Sequence, residues 1–313
     1  MSPSTVSPGK ERLDDFADRM RAAYRRRWHV NQAGGAAARL SRWRVIHYVI
    51  LRRIGWHGRA KARTFWGAPI YVHTAETTSG GLLAFGYHDT ALTALMLETI
   101  KLGMRLVDIG AHLGYESMLG AELVGRTGRV VSFEPQRQIF GYTERNLRRY
   151  PQVRVMSAAV GERNGVIDFH ERALALSAFS GSDASAQSAT GSEQSYTVPV
   201  VKLDEALRIN ERPMDFIECD VEGAEMSVLR GACDILREDR PLLVLEAEMP
   251  VSGQPRPRIQ EFSEFLAPFG YRPVAFDFDG TLRIGRLDEL DMGHANVAFV
   301  HPSRKEFAAL MPT

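Results

Sequence analysis

The sequence predicts an α/β domain on a mostly parallel sheet, finished by a C-terminal antiparallel hairpin and preceded by a helical N-terminal extension. Three observations predict it. From residue 105 onward, short β-branched runs alternate with segments of helical period, which implies βαβ units and parallel strands. Two consecutive strand ends carry an acid beside a turn residue, at Asp108 and Glu134. The last two apolar runs look antiparallel, as a closing hairpin requires.

The elements follow in order. Asp14–Arg27 reads as a charged helix. Trp43–Ile54 reads as an amphipathic one, with Trp43, Ile46, Ile50 and Ile54 at helical spacing. Ala68–Thr74 is a short strand. Thr90–Leu102 is a helix that Gly103 can cap. Strand Arg105–Ile109, helix Gly114–Val124, strand Arg129–Phe133, helix Phe140–Arg149 and strand Val153–Ser157 then alternate. Val166–His170 and Tyr196–Val201 form a side hairpin, followed by a short helix at Leu203–Leu207. Asp215–Cys219, Glu225–Leu236 and Pro241–Glu246 continue as strand, helix and strand. Ile259–Leu266 is a helix, and Tyr271–Phe276 and Asn296–Val300 are the closing strands. Residues 1–80 are thus the extension and residues 81–313 the main domain. A Ser-, Ala- and Gly-rich insertion at 176–195 reads as flexible, because it holds too little apolar surface to order itself.

Apolar residues make up 44% and charged residues 25% of the 313, an ordinary globular composition. Two cysteines, Cys219 and Cys233, exclude a disulfide scaffold and a CxxC metal site. The first ten residues lead into no apolar signal core. The longest early apolar run, Val45–Leu51, is broken by His47, and a spanning helix needs roughly 20 apolar residues. The expected compartment is the cytoplasm. Charge is uneven: up to Thr64 there are 15 Lys and Arg against 4 Asp and Glu, and the rest carries 24 against 34. All four tryptophans (Trp28, Trp43, Trp56, Trp66) fall in or beside this basic stretch. It can cap the core, touch a membrane surface peripherally, or serve as a partner or homo-oligomer interface.

The most informative segment is Val107–Ser117, VDIGAHLGYES. A strand ends in Asp108, a turn carries Gly110 and Gly114, and a helix begins. Glycine permits close backbone approach, and the helix N-terminus offers N–H groups to a carboxylate. Asp108 suits a cation. The α-carboxylate and α-ammonium of an amino acid would answer both. Glu134, 26 residues on, ends the next strand in FEP (Phe133–Pro135) and suits two ribose hydroxyls. A nicotinamide dehydrogenase is disfavoured: it needs G-x-G-x-x-G for a pyrophosphate, whereas here an acid precedes Gly110-x-x-x-Gly114. A third group, ECDVEGAE (Glu218–Glu225), crowds acids at the end of the fourth core strand. Such groups can orient a hydroxyl or take its proton.

The chain here resembles the FkbM family of methyltransferases. The resemblance rests on DIGAHLGYES (Asp108–Ser117), FEP, AAVGE (Ala158–Glu162), VVKLDEAL (Val200–Leu207), and DVEGAE with VLRGA (Asp220–Ala232), over roughly residues 86–302. It implies a Rossmann-like class I methyltransferase fold, S-adenosylmethionine as methyl donor, and O-methylation in natural-product or glycan biosynthesis. Carried over, Asp108, Gly110, Ala111, His112, Gly114 and Tyr115 would hold the methionine end. Glu134 and Pro135 would hold the ribose, and Ala158 and Ala159 the adenine edge. Asp220 would lie near the sulfonium and acceptor. His112 stands where the family usually has Asn; either can donate a hydrogen bond, and histidine can also act as a base.

Methyl transfer from a sulfonium needs positioning, and an alcohol must lose its proton. Asp220, Glu222, Glu246 and His112 are the catalytic candidates, with Glu225 as a further possible base. The carboxylates can act metal-free or hold Mg²⁺. One of Glu222 and Glu225 is expected only to cap the following helix. Asp277–Thr281 reads DFDGT, a phosphatase-like nucleophile motif of the haloacid dehalogenase type. Only 32 residues follow it, so it is read as a hairpin turn. Segment 86–89 (GYHD) can be a packing loop or approach the site. The alternative function is a catalytically idle Rossmann-like module docking through its basic N-terminus. A nucleic-acid partner is not expected, since no NPPY-type base-flipping signature is present.

Overall fold

Strands and helices alternate along the chain much as the hydrophobic pattern predicts. An antiparallel pair comes first, β1 (Arg59–Arg63) and β2 (Pro69–His73), then helices α1 (Ser79–Ala84) and α2 (Thr90–Thr99). Next come β3 (Arg105–Ile109), α3 (Tyr115–Val124), β4 (Arg129–Phe133), α4 (Arg137–Leu147) and β5 (Val153–Met156). A side sheet holds β6 (Ala159–Val160), β7 (Gly165–Glu171) and β8 (Gln194–Val201), and α5 (Leu203–Ala206) follows. The chain then returns through β9 (Phe216–Cys219), α6 (Glu225–Arg230), α7 (Cys233–Glu238) and β10 (Leu242–Glu246). It ends with α8 (Pro257–Leu266), β11 (Arg272–Phe278), β12 (Leu282–Gly285) and β13 (Asn296–Val300). The structure is a computed structural model. It describes residues 58–76, 78–171, 194–247, 257–287 and 296–311, with positions 15, 18–22 and 50. Most of the two N-terminal helices predicted from sequence, and most of insertion 176–195, lie outside the described residues. Among the described residues, no helix is long and apolar enough to cross a membrane.

The main sheet has eight strands in the order β12-β11-β13-β10-β9-β3-β4-β5. β10, β9, β3, β4 and β5 are parallel, and β13, β11 and β12 pair antiparallel. The parallel strands are buried on both faces, and their alternate side chains feed two separate cores. Leu106, Val130, Leu242 and Val244 face one core with residues of α2, α3 and α4. Val107, Val131, Ile217 and Leu243 face the other with α6, α7 and α8. The chain steps outward from β3 through β4 to β5, then returns to the other side of β3 for β9 and β10. That reversal opens a crevice outside the carboxyl ends of β3, β4 and β9.

Three details differ from the sequence reading. The predicted helix Glu225–Leu236 is two helices, interrupted at Gly231. A Cβ there would lie 2.1 Å from the Gly161 carbonyl oxygen, so the strand leaving β6 passes against bare backbone. β11 and β13 do pair, Arg272 opposite Val300, but the tight hairpin joins β11 to the unpredicted β12. Its turn is the DFDGT segment, where Gly280 takes φ +119° and Thr281 N donates to Asp279 Oδ1 at 3.4 Å. β1, α1 and β6 were also not anticipated, being short and without clear period. Trp66 does pack on the core, 7% exposed, with its ring 5.5 Å from that of Tyr115.

Candidate active site

A cleft of about 430 Å³ opens at the carboxyl ends of β3, β4, β9 and β10 and is walled by the side sheet. The turn after β3 sets its floor. Gly110 has φ +95°, and a Cβ on it would lie 1.8 Å from the Asp220 carbonyl oxygen. Glycine is required here because the end of β9 passes against the turn, a tighter constraint than the ligand approach inferred from sequence. Gly110 N and Ala111 N both donate to Phe133 O at 2.9 Å, and Asp220 N donates to Ile109 O at 3.0 Å. The three strand ends are therefore stitched together. Glu134, 4% exposed and facing the cleft, tightens this further. Its Oε2 accepts from His112 N at 2.7 Å and its Oε1 from Gln136 N at 2.6 Å.

Asp108 is placed differently from the expectation. It does not line the cleft. It is buried under α3, where Ser117 Oγ donates to its Oδ2, and Ser117 Oγ and Ser132 Oγ lie 2.6 Å apart. The cleft-lining acid at this level is Glu218, directly opposite Asp108 in the β3–β9 pairing. Burial and the charge of Glu116 push Asp108 up to about 7 against hydrogen bonds from Ser117 and Glu218, while burial and the charges of Asp108 and Asp220 push Glu218 well above its ordinary value. Asp108 Oδ1 meets no N–H or O–H donor among the described residues. Ala111, Gly114 and Tyr115 likewise stand outside the cleft lining. Ala111 is 1% exposed, Gly114 packs beneath Leu147, and the Tyr115 hydroxyl lies 3.1 Å from Thr93 Oγ1. Their small or inward-facing side chains hold the turn. Gly110, His112, Glu134, Pro135, Ala158, Ala159 and Asp220 do line the cleft.

The DVEG turn brings Asp220, Glu222 and Glu246 together, each offering an oxygen within 4.8 Å of the others. Glu222 (φ +50°) and Gly223 (φ +112°) both take the left-handed conformation, a strain that a non-glycine residue accepts only when its surroundings fix it. Glu225 fixes it. Its Oε1 accepts from Val221 N at 3.3 Å and Gly223 N at 3.0 Å, and its Oε2 pairs with Arg258 at 2.8 Å. Glu225 is 1% exposed, and the expected side-chain cap is absent: the helix begins after Ala224 without one, and Glu225 instead ties down the turn before it. Asp220 lines the cleft and is exposed to solvent there. Desolvation by the protein walls of the cleft and the charges of Glu222, Glu225 and Glu116 push its carboxyl to about 7, opposed by a hydrogen bond with Glu246.

Two histidines face the cleft with opposite character. His112 takes φ +47°, a conformation that Asn and His tolerate better than most residues, and Thr143 Oγ1 donates to its carbonyl. Its Nε2 lies 3.9 Å from Glu76 Oε1. Burial lowers its pKa more than Glu76 raises it. For Glu76 itself burial works upward, but His112 and the donors of Thr78 and Ser79 outweigh it and hold the carboxylate below its usual range. His88 Nδ1 lies 3.7 Å from Glu116 Oε1. Burial would lower its pKa, yet Glu116, Asp89 and Glu76 raise it. Asp89 caps α2 through Leu92 N at 2.8 Å and accepts from Asn296 Nδ2 at 2.8 Å. Segment 86–89 therefore does reach the site. Glu116, which also lines the cleft, was not singled out from sequence, while Glu218 and His88 were read only as members of the ECDVEGAE and GYHD segments. The available signal was an acid in the first turn of α3 and the strand-end position of Glu218.

The opposite wall is apolar, formed by Phe133, Pro135, Ala158, Ala159, Ile167 and Phe169.

A family model described as the methyltransferase FkbM domain matches residues 108–273. No curated protein matches the chain in sequence. Among solved structures, the chain is similar to methyltransferase FkbM from Methylobacillus flagellatus KT at 19% identity and a TM-score of 0.42, over 64% of this chain and 44% of that one. It thus spans less than half of that relative's length. It is also similar to Aeropyrum pernix fibrillarin in complex with S-adenosyl-L-methionine (15% identity, 66% and 73% covered, TM-score 0.40). A third is a SAM-dependent O-methyltransferase from Thermotoga maritima (15%, 80% and 80%, 0.38). The family match takes in the β3 turn, the Glu134 strand end, the side sheet and the DVEG turn in one span of more than half the chain, and by that match the chain belongs to the FkbM family of methyltransferases, built on a Rossmann-like class I sheet.

Proposed function

We propose that the chain transfers a methyl group from S-adenosylmethionine to a hydroxyl oxygen of a small molecule, a natural product or a sugar. The observation that carries this reading is the polarity of the cleft at the chain reversal: carboxylates on the β3, β9 and β10 side, apolar rings and alanines on the other. A cofactor with a cationic amino-acid end and a flat base fits that division. Glu218 and Glu116 face the cationic end, with Asp108 acting from behind through Glu218. Glu134 lines the cleft and is fixed by the amides of His112 and Gln136, which presents its carboxylate to the two ribose hydroxyls. Ala158 and Ala159, with Phe133 and Pro135, flank the base. Gly110 and His112 border the methionine.

When bound, the cofactor supplies an activated methyl group. The chain's own residues supply alignment and a place for the hydroxyl proton. Asp220 receives that proton; the protein walls of the cleft and the neighbouring carboxylates raise its basicity towards neutral pH. Glu222 and Glu246 hold Asp220 and the acceptor in register. His112, which lines the cleft, donates a hydrogen bond into it.

The test is product analysis with methyl-labelled S-adenosylmethionine and a panel of hydroxylated small molecules and sugars. The reading expects label in an alkali-stable methyl ether, formed equally well in the presence of a chelator. Label that mild alkali releases as an ester, or that is found on nitrogen, contradicts it. Turnover that stops with the chelator would assign the carboxylate trio to a metal instead.

A further inference from the structure

A second cavity, of about 550 Å³, lies at the opposite end of the sheet. It is formed where β4 and β5 begin, together with the segment that leads into β9. Four arginines line it, Arg126, Arg129, Arg154 and Arg208, against a single carboxylate, Glu211. Glu211 is already committed. It is 4% exposed and accepts from Arg154 Nε at 2.7 Å, from Arg154 Nη2 at 2.6 Å and from Arg208 N at 2.7 Å. Burial alone would raise its carboxyl, but the Arg154 contacts win and hold it below its usual range.

Arg126, Arg129 and Arg208 are left with no carboxylate at ion-pair distance among the described residues. Arg129 Nη1 donates only to the neighbouring Gly128 O, at 2.7 Å. The concentration does not follow from composition, since the sequence beyond residue 64 is acidic, 24 Lys and Arg against 34 Asp and Glu. Arg208 shares the field of Glu211 with Arg154, so four guanidiniums face one carboxylate; their mutual repulsion is what a multivalent oxyanion removes. The planar guanidinium fork matches phosphate oxygens two at a time. The volume exceeds one phosphate ion and lies within the range of small-ligand sites, roughly 300–1,000 Å³. A nucleic-acid strand is disfavoured, because it needs a basic track longer than one cavity.

We propose that this groove is a second ligand site, remote from the cleft, which takes a small molecule carrying two or more phosphate groups. The test is calorimetric titration of the full chain with inorganic pyrophosphate, at constant ionic strength in phosphate-free buffer. The wild type binds saturably, one to one. The R126Q/R208Q variant binds roughly a hundredfold more weakly, by loss of two charged hydrogen-bonding groups. Arg129→Gln alone gives a smaller loss of the same sign. An unchanged melting temperature and unchanged S-adenosylmethionine binding in the double variant show that the fold and the cleft are intact. Three results overturn the proposal: no saturable pyrophosphate binding at millimolar concentration, equal binding by wild type and double variant, or tighter binding of a short single-stranded RNA with steep salt dependence.

Discussion

At the carboxyl ends of β3, β4, β9 and β10, the cleft is lined by Asp89, Glu116, Glu134, Glu218, Asp220, Glu222 and Glu246, with no lysine or arginine among its described lining residues. At the amino ends of β4 and β5, the groove is lined by four arginines and one paired glutamate. The strands between them are mostly apolar, with their charged residues concentrated towards the ends, such as Arg105 and Arg129 at the starts and Glu246 at the finish. The sheet is thus a common frame, and the segments at its two ends set fields of opposite sign. A ligand with a cationic end is drawn to one and an oxyanion to the other. Changes at the two ends should therefore separate cleanly.

The largest effect is expected from Gly110→Ala. Its Cβ would sit 1.8 Å from Asp220 O, in a conformation that alanine resists, so the β3 turn and the end of β9 must part. Urea denaturation should show a loss of about 3–5 kcal/mol, and the cleft should lose its cofactor. A small effect would mean that the two strand ends are less tightly joined than their hydrogen bonds imply. Arg258→Ala comes next. It strands Glu225, 1% exposed, without its cation, and should cost about 3 kcal/mol while loosening the DVEG turn. If Arg258→Ala and Glu225→Gln are individually harmless, the pair does not hold the turn.

The pH dependence is smaller and has a definite sign. Asp108 is raised on folding from 3.8 to about 7, so the folded state holds that proton more tightly than the unfolded one. Stability from this carboxyl is greatest at low pH and is lost as pH rises towards about 7. Asp108→Asn should therefore gain on the wild type as pH increases through this range, measured by denaturation at a series of pH values. A difference that is flat or shrinks with pH contradicts a raised carboxyl. R126Q/R208Q should change stability least, within about 0.5 kcal/mol, because both side chains lie outside the core.

The parallel sheet was legible in the sequence because double-sided burial leaves continuous β-branched runs at Arg105–Ile109 and Arg129–Phe133. Glu134, Asp220 and Glu246 were legible as site residues for the same reason: each ends, or directly follows, such a run. Asp108 was misplaced because a strand-end acid can turn to either face, and Ser117 one helical turn away draws it under α3. The meeting of His88 with Glu116, and of His112 with Glu76, depends on how α1 and α2 pack and leaves no local period to read. The arginine groove was hidden for a similar reason, since its residues come from three separate segments. The break at Gly231 is set by a neighbour 70 residues earlier, Gly161, and no helix propensity announces it.

The most direct measurement is calorimetric titration of the full chain with S-adenosylmethionine at pH values on either side of about 7, where the Asp220 carboxyl ionises. A cationic ligand favours the ionised cleft, so the account predicts one site whose affinity rises with pH and whose binding releases protons to the buffer. It also predicts roughly tenfold or greater weakening in Glu134→Gln, which loses a charged acceptor, and none in R126Q/R208Q. Absence of binding by the wild type, or binding indifferent to both pH and Glu134, would contradict it.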